Sequence, residues 1–193
     1  RTKEQVKKQV NIRDLGSLPY VKQKKRKNAE NNTINILNER IAPVYEEAIR
    51  RLRIRIMREA EIKHAKVIMV TSSVPGEGKT TVAVNLAVAI AKQKKSVILV
   101  DCDMRNPSVA QMMHHDEAHP GLASVLKDET TLQNALTDAG IPDAEMRIMY
   151  GGAADSEDTA LLGSRKMGEV IEELKVMAVY VILDTAPAEL LVD

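Results

Sequence analysis

The chain has 193 residues, 44% of them hydrophobic, with no Phe or Trp, four Tyr, nine Met and a formal charge of +1. That composition suits one globular unit with an aliphatic, Met-rich core and provides little for stacking on bases or sugars. The single Cys102 leaves no partner for a disulfide within this sequence and fits a reducing cytosol; no signal peptide is expected, and no apolar run reaches the ~18–20 residues of a membrane span. The near-neutral total conceals a division, with 18 Lys and Arg against 8 Asp and Glu in residues 1–66, and 10 against 19 in residues 67–193.

In chain order, residues 1–40 read as a basic N-terminal arm and 41–193 as one folded domain. "RDLGSLPY", punctuated by Gly16 and Pro19, reads as a strand or extended loop. Next, Lys22, Lys24, Lys25, Arg26 and Lys27 crowd into "VKQKKRK". Such a cluster is a solvated arm, or lies against anionic lipid headgroups at ~1 kcal/mol per cation, or against nucleic acid. From Ala42 to Ile62 the spacing is helical, with Val44, Ala48, Leu52 and Met57 on an apolar side. Glu47, Arg50 and Arg53 follow at intervals of three as one ridge, either a salt-bridged exposed face or a surface that pairs with another subunit.

Strands and helices then alternate. "KVIMVTS" (Lys66–Ser72) and "SVILVD" (Ser96–Asp101) are runs that a parallel sheet buries on both faces, and the helix between them carries a buried stripe of Val82, Leu86, Ala87 and Ile90. Residues 108–137 read as short helices broken at Gly121 and Asp128. "MRIMY" (Met146–Tyr150) is a strand, Gly151–Asp158 a loop, "SRKMGEVIEELKVMA" a helix capped by Ser164, and "VYVILD" (Val179–Asp184) a fourth strand. Three strand-helix-strand units predict an α/β fold, a doubly wound parallel sheet with flanking helices. No internal repeat is evident.

"SSVPGEGKTT" follows a strand and opens a helix, the context in which a phosphate loop is credible. Gly76 and Gly78 let the backbone turn so that the amides of Gly76, Glu77, Gly78, Lys79, Thr80 and Thr81 converge on phosphate at the positive end of a helix. Lys79 reaches the β- and γ-phosphates, and the Thr80 hydroxyl is a ligand for Mg²⁺. Ser73 stands where the usual first glycine would be, which is tolerable if its φ is negative. Asp101 and Asp103 end the next strand, where period two points them the same way, toward one metal or one acceptor hydroxyl. Asp184 ends a further buried strand. "MMHHDEAHP" offers His115 and His119 at helical spacing for a metal, against a solvated loop.

These motifs resemble those of the bacterial tyrosine kinases of capsule and exopolysaccharide synthesis, P-loop ATPases with a deviant, partition-type Walker A. "SSVPGEGKTT" is similar to the family's Walker A, "VILVDCDMR" to its Walker A′, and "VILDTAP" to its Walker B, which usually carries two prolines where this chain has Ala186 and Pro187. The resemblance implies an autokinase acting with ATP and Mg²⁺ that regulates polysaccharide polymerisation and export. Lys79 and Thr80 would bind the nucleotide, Thr80, Asp103 and Asp184 would hold the metal, Asp101 would serve as base for the tyrosine hydroxyl, and Arg105 would be a structural or phosphate-neighbouring partner. Glu47, Arg50 and Arg53 match E-x-x-R-x-x-R, through which relatives assemble into rings. The implied partners are other copies of the chain, a transmembrane polysaccharide co-polymerase domain, fused or separate, and a cognate tyrosine phosphatase, with no nucleic acid. "DLGSLPYVKQKKRK" is similar to the segment after the second transmembrane helix of fused members and favours the cytoplasmic face of the membrane.

Two departures count against full competence. The chain ends nine residues after Asp184, so a domain truncated after Walker B is expected, without the family's tyrosine cluster or adenine-contacting segment. Ala186 alters Walker B. The alternatives are a nucleotide-binding assembly module of the export complex without kinase activity, or a partition-type ATPase; the latter's lysine near the loop start is replaced here by Val74 and Pro75.

Overall fold

The computed structural model describes residues 13–21, 34–37, 43–115, 120–152 and 158–188. Helix α1 spans Pro43–Ile62, followed by β1 (Val67–Val70), α2 (Lys79–Ala91), β2 (Val97–Asp101) and the short helices α3 (Val109–Met112), α4 (Leu122–Leu126) and α5 (Leu132–Ala135). Then come β3 (Leu136–Asp138), β4 (Met146–Met149), a 3₁₀ turn (Asp158–Gly163), α6 (Arg165–Met177) and β5 (Tyr180–Asp184). The five strands form one sheet in the order β1-β5-β2-β4-β3. β1, β5, β2 and β4 are parallel, while β3 runs antiparallel to β4 at the edge. The doubly wound reading holds with that correction. Leu136–Asp138 begins at the end of the stretch 108–137 read as helical, where three residues are too few to show a period and the strand is held by pairing with Arg147–Met149.

Alternation along the central strands divides the core in two. Val97, Leu99 and Ile182 pack with α2 and α1 on one face, and Ile98, Val100, Val181 and Leu183 pack with α4 and α6 on the other. Helix α2 is therefore buried all round from Ala83 to Ala91 rather than along one stripe, and Val82 of the expected stripe is only half-buried. Its outer side is covered by α1 and by Ile36, whose amide donates to the Asn85 carboxamide (2.7 Å) while Asn85 donates to Ile34 O (2.6 Å) and Thr81 O (2.7 Å). Asn85 is thus a fully buried polar residue whose amide and oxygen are both used, each bond adding about 1 kcal/mol net.

The inner face of α1 is Tyr45, Ile49, Arg53 and Ala60, with the expected Met57 also packed against the core, but not the expected Val44, Ala48 and Leu52. Val44 is exposed, and with Ala48 and Leu52 it faces the extended segment 13–21 across a cavity of about 620 Å³. That segment is fastened by an Arg13–Glu59 ion pair, by Arg55 donating to Leu15 O (2.8 Å), and by Leu18 and Val21 packing on the core. The described parts of the expected arm therefore lie on the folded body; the basic cluster Lys22–Lys27 falls outside the described residues. On the opposite side, Ser164 caps α6 as expected, accepting from the Met167 amide at 3.2 Å. At Gly121 an added Cβ would lie 2.4 Å from Tyr150 O, so the entry to α4 passes against the end of β4 only as glycine.

Candidate functional site

β1 ends at Val70, and Thr71–Gly78 turns into the first residue of α2, Lys79. Gly76 (φ 81°) and Gly78 (φ 89°) are left-handed, and a Cβ on either would meet nothing within 4 Å. Backbone conformation, not crowding, requires glycine there. Ser73 is not among the residues of positive φ, so its departure from the usual loop pattern carries no strain. The loop is pinned from two sides. The Thr71 hydroxyl donates to Ala186 O (3.1 Å) and the Ala188 amide to Ser72 O (2.8 Å). The Glu77 carboxylate folds back to accept the amides of Ser73 (2.8 Å) and Val74 (3.3 Å), so Glu77 braces the loop with its side chain and has only its main chain to offer a phosphate. The amides of Lys79, Thr80 and Thr81 precede the first intrahelical bond, Val82 N–H to Gly78 O, and mark a helix N-terminus suited to anions.

The sheet register brings the carboxylates to this loop. Asp101 pairs with Asp184 across β2 and β5, and Asp184 pairs with Val70 across β5 and β1. By alternation both carboxylates lie on the α2 face, at the carboxyl ends of the strands where open α/β sheets bind ligands. Lys79 makes a 2.7 Å ion pair with Asp103, both nearly buried. Asp103 also accepts the Asn106 amide at 3.2 Å.

Asp101 and Asp103 engage different partners, although Asp184 lies within electrostatic reach of both. Asp101 turns to cap α3, accepting the amides of Ser108 and Val109 at 3.1 Å and of Asp103 at 3.2 Å, because the chain leaves the strand at Cys102 and folds back to Ser108. Burial pushes the Asp101 carboxyl up to about 7, opposed by these amides and reinforced by Asp184.

Asp184 is fully buried, and neither of its carboxylate oxygens makes a hydrogen bond of normal geometry, the adjacent Thr80 hydroxyl being bonded to Ser108. Burial raises it to about 6, while the neighbouring Thr80 and Lys79 pull it down. Thr80 shares a 3.0 Å hydrogen bond with the Ser108 hydroxyl. Ser108 therefore touches Asp101 with its main chain and Thr80 with its side chain, a role absent from the sequence reading. Its only signal was an Asn-Pro-Ser helix start before Val109. The buried Asp184 carboxylate, the Thr80 hydroxyl and Asp103 are hard oxygen donors of the kind a small divalent cation takes. Among the described residues no group of three or more His, Cys, Asp and Glu side chains forms a metal cluster. Arg105 is exposed beside the site.

Two expected sites come out differently. Arg50 and Arg51 both bond Glu47 (2.7 and 2.8 Å), and Arg53, which lines the same groove as Glu47 and Arg50, is buried and donates to Ala89 O in the last turn of α2 at 3.3 Å. His115 stacks on Tyr150 with ring centroids 4.7 Å apart, and His119 lies outside the described residues.

Residues 65–192 match the family described as AAA domain. The chain is 36% identical over 128 residues to tyrosine-protein kinase CpsD of Streptococcus pneumoniae, covering 66% of this chain and 56% of that protein. It superposes on the chimerical protein CapA2B2 with a TM-score of 0.78 at 28% identity, over 97% of this chain and 76% of that one. It is also similar to the septum site-determining protein MinD of Pyrococcus horikoshii, solved with Mg-ADP, with a TM-score of 0.54 at 29% identity over 62% of this chain and 49% of that one. The chain spans little more than half the length of the curated relatives it matches.

Proposed function

The chain belongs to the bacterial tyrosine kinases, within the AAA-domain P-loop ATPases, and from that membership we propose that it transfers the γ-phosphoryl group of ATP to tyrosine, as an autokinase regulating capsular or exopolysaccharide polymerisation and export. The observation that carries this reading is the buried Asp184 carboxylate, without a hydrogen bond of normal geometry, set beside Lys79 and Thr80 at the mouth of the phosphate loop. The neighbouring Thr80 hydroxyl and Lys79 ammonium only partly offset the burial of this carboxylate, which stays raised to about 6, and a further cation would complete its surroundings.

The amides of Gly76–Thr81 hold the phosphates, and Lys79, released from Asp103, meets the β- and γ-oxygens. Thr80, Asp103 and Asp184 would hold Mg²⁺, whose chemistry would be to neutralise charge on the transferring phosphoryl group. Asp101, held near neutrality, is matched to taking the proton of an incoming phenol at physiological pH. The rest is positioning and charge stabilisation. The exposed Glu47–Arg50 pair on α1 is the proposed contact between copies in a ring, and the basic cluster Lys22–Lys27 the proposed contact with the cytoplasmic face of the membrane. The wider partners are a polysaccharide co-polymerase domain and a tyrosine phosphatase.

Incubated with labelled ATP and Mg²⁺, the wild-type protein yields phosphotyrosine and Lys79→Met does not. No phosphotyrosine from the wild type would leave a nucleotide-binding assembly module, the reading that Ala186 in Walker B favours.

A further inference from the structure

We propose that Ser108 is a positioning residue of the nucleotide site, whose hydroxyl holds the Thr80 side chain in the orientation a cation would use; the proposal rests on the metal site of the reading above. Ser108 stands immediately before helix α3, where a serine ordinarily turns its oxygen onto a free amide of the first turn. Here it makes no such bond. Asp101 has taken over the capping from the end of β2, its carboxylate accepting the amides of Ser108 and Val109 at 3.1 Å. The Ser108 hydroxyl is thereby released, and it bonds the Thr80 hydroxyl at 3.0 Å.

The fold fixes both ends of that bond. α3 is a single turn, and Val109 and Met112, at 0% and 8% exposure, anchor it in the core beside α2. Thr80 is buried in the first turn of α2, where a threonine hydroxyl has more than one rotamer open to it. The bond to Ser108 selects one of them.

A hydroxyl carries one proton and two lone pairs. To serve a cation, Thr80 must offer a lone pair and send its proton elsewhere. The Ser108 oxygen is in place to accept that proton, whereas Asp184, next to Thr80, makes no hydrogen bond of normal geometry. With the Ser108 oxygen gone, Thr80 has the Asp184 carboxylate to turn its proton to, and two of the proposed metal ligands would then engage each other. Ser108 also joins the two ends of the site, its amide on Asp101 and its hydroxyl on Thr80.

Ser108→Ala removes the hydroxyl and keeps the amide on Asp101, so one variant separates the two roles. Affinity for fluorescent ADP is titrated against Mg²⁺, and measured in EDTA, for the wild type, Ser108→Ala and Ser108→Thr, with phosphotyrosine formation from ATP followed alongside. Because the Ser108 side chain caps nothing, Ser108→Ala is expected to leave the ligand-free Tm and the affinity in EDTA nearly unchanged. It is expected to raise the Mg²⁺ concentration that gives half of the tightening by on the order of tenfold. Ser108→Thr, which keeps a hydroxyl, is expected to return that concentration to near the wild-type value. An unchanged Mg²⁺ requirement in Ser108→Ala, or an equal loss of affinity in EDTA and in Mg²⁺, overturns this proposal alone. A wild type whose ADP affinity gains nothing from Mg²⁺ overturns the metal assignment and this proposal with it. Absence of phosphotyrosine from a wild type that keeps its Mg²⁺ gain overturns the kinase reading, and the titration still decides the role of Ser108.

Discussion

Asp101 and Asp184 sit side by side at the ends of the two central strands, fully buried, with their carboxyls raised to about 7 and about 6 chiefly by desolvation. An unfolded Asp titrates near 4. Between that pH and about 7 the folded chain therefore holds more protons than the unfolded one, and these two groups make stability fall as pH rises. Asp101→Asn keeps an oxygen for the Ser108 and Val109 amides and removes the buried charge. It is expected to raise Tm at pH 7.5 by several degrees, on the order of 1–3 kcal/mol, with the gain shrinking toward pH 4. A Tm difference that does not change with pH in thermal melts would contradict this. Function and stability pull apart here, since the same substitution removes the proposed base. Lys79, Thr80, Gly76 and Gly78 were legible from spacing because a phosphate loop needs those residue types in that order. The cap from Asp101 to α3 and the Thr80–Ser108 bond were not, because both depend on how the chain folds back after Cys102.

Helix α1 was legible in its ends and misread in its faces. It is sandwiched between α2 and the segment 13–21, so apolar residues occupy two stripes and the sequence offers no rule for which is inner. Arg53 misled most. It lies four residues from Ile49 on the buried stripe, where its guanidinium bonds a carbonyl of α2, and charged residues at such positions read as solvent-facing. The outer pair remains as expected: Glu47 bonds Arg50 and Arg51, and those bonds hold its carboxyl down at about 2. An exposed pair of this kind contributes little to one helix's stability. Its proposed use is between copies. Glu47→Ala and Arg50→Ala are expected to reduce assembly size in multi-angle light scattering with Tm nearly unchanged; unaltered assembly in both would return the pair to an ordinary salt-bridged face.

Across the whole molecule, one sheet with helices on both faces was legible because three of its strands, β1, β2 and β5, are continuous apolar runs rich in β-branched residues, the type that parallel sheets bury, although Met69 in edge strand β1 is 65% exposed. The charge division carries its own prediction, for residues outside those described. Reversing Lys24, Lys25, Arg26 and Lys27 to Glu is expected to lower binding to anionic vesicles more than tenfold, from ~1 kcal/mol per cation near the surface. Undiminished co-sedimentation would remove the membrane assignment without touching the site. What joins loop, strands and chemistry is Asp184, buried between β1 and β2 and next to Thr80. The most direct measurement is the affinity for fluorescent ADP with Mg²⁺ and with EDTA, in the wild type and in Asp184→Asn. The wild type is expected to bind tighter with Mg²⁺, and Asp184→Asn to lose most of that gain. Equal wild-type affinity in Mg²⁺ and EDTA, or a gain preserved in Asp184→Asn, would contradict the assignment of Asp184 to the metal.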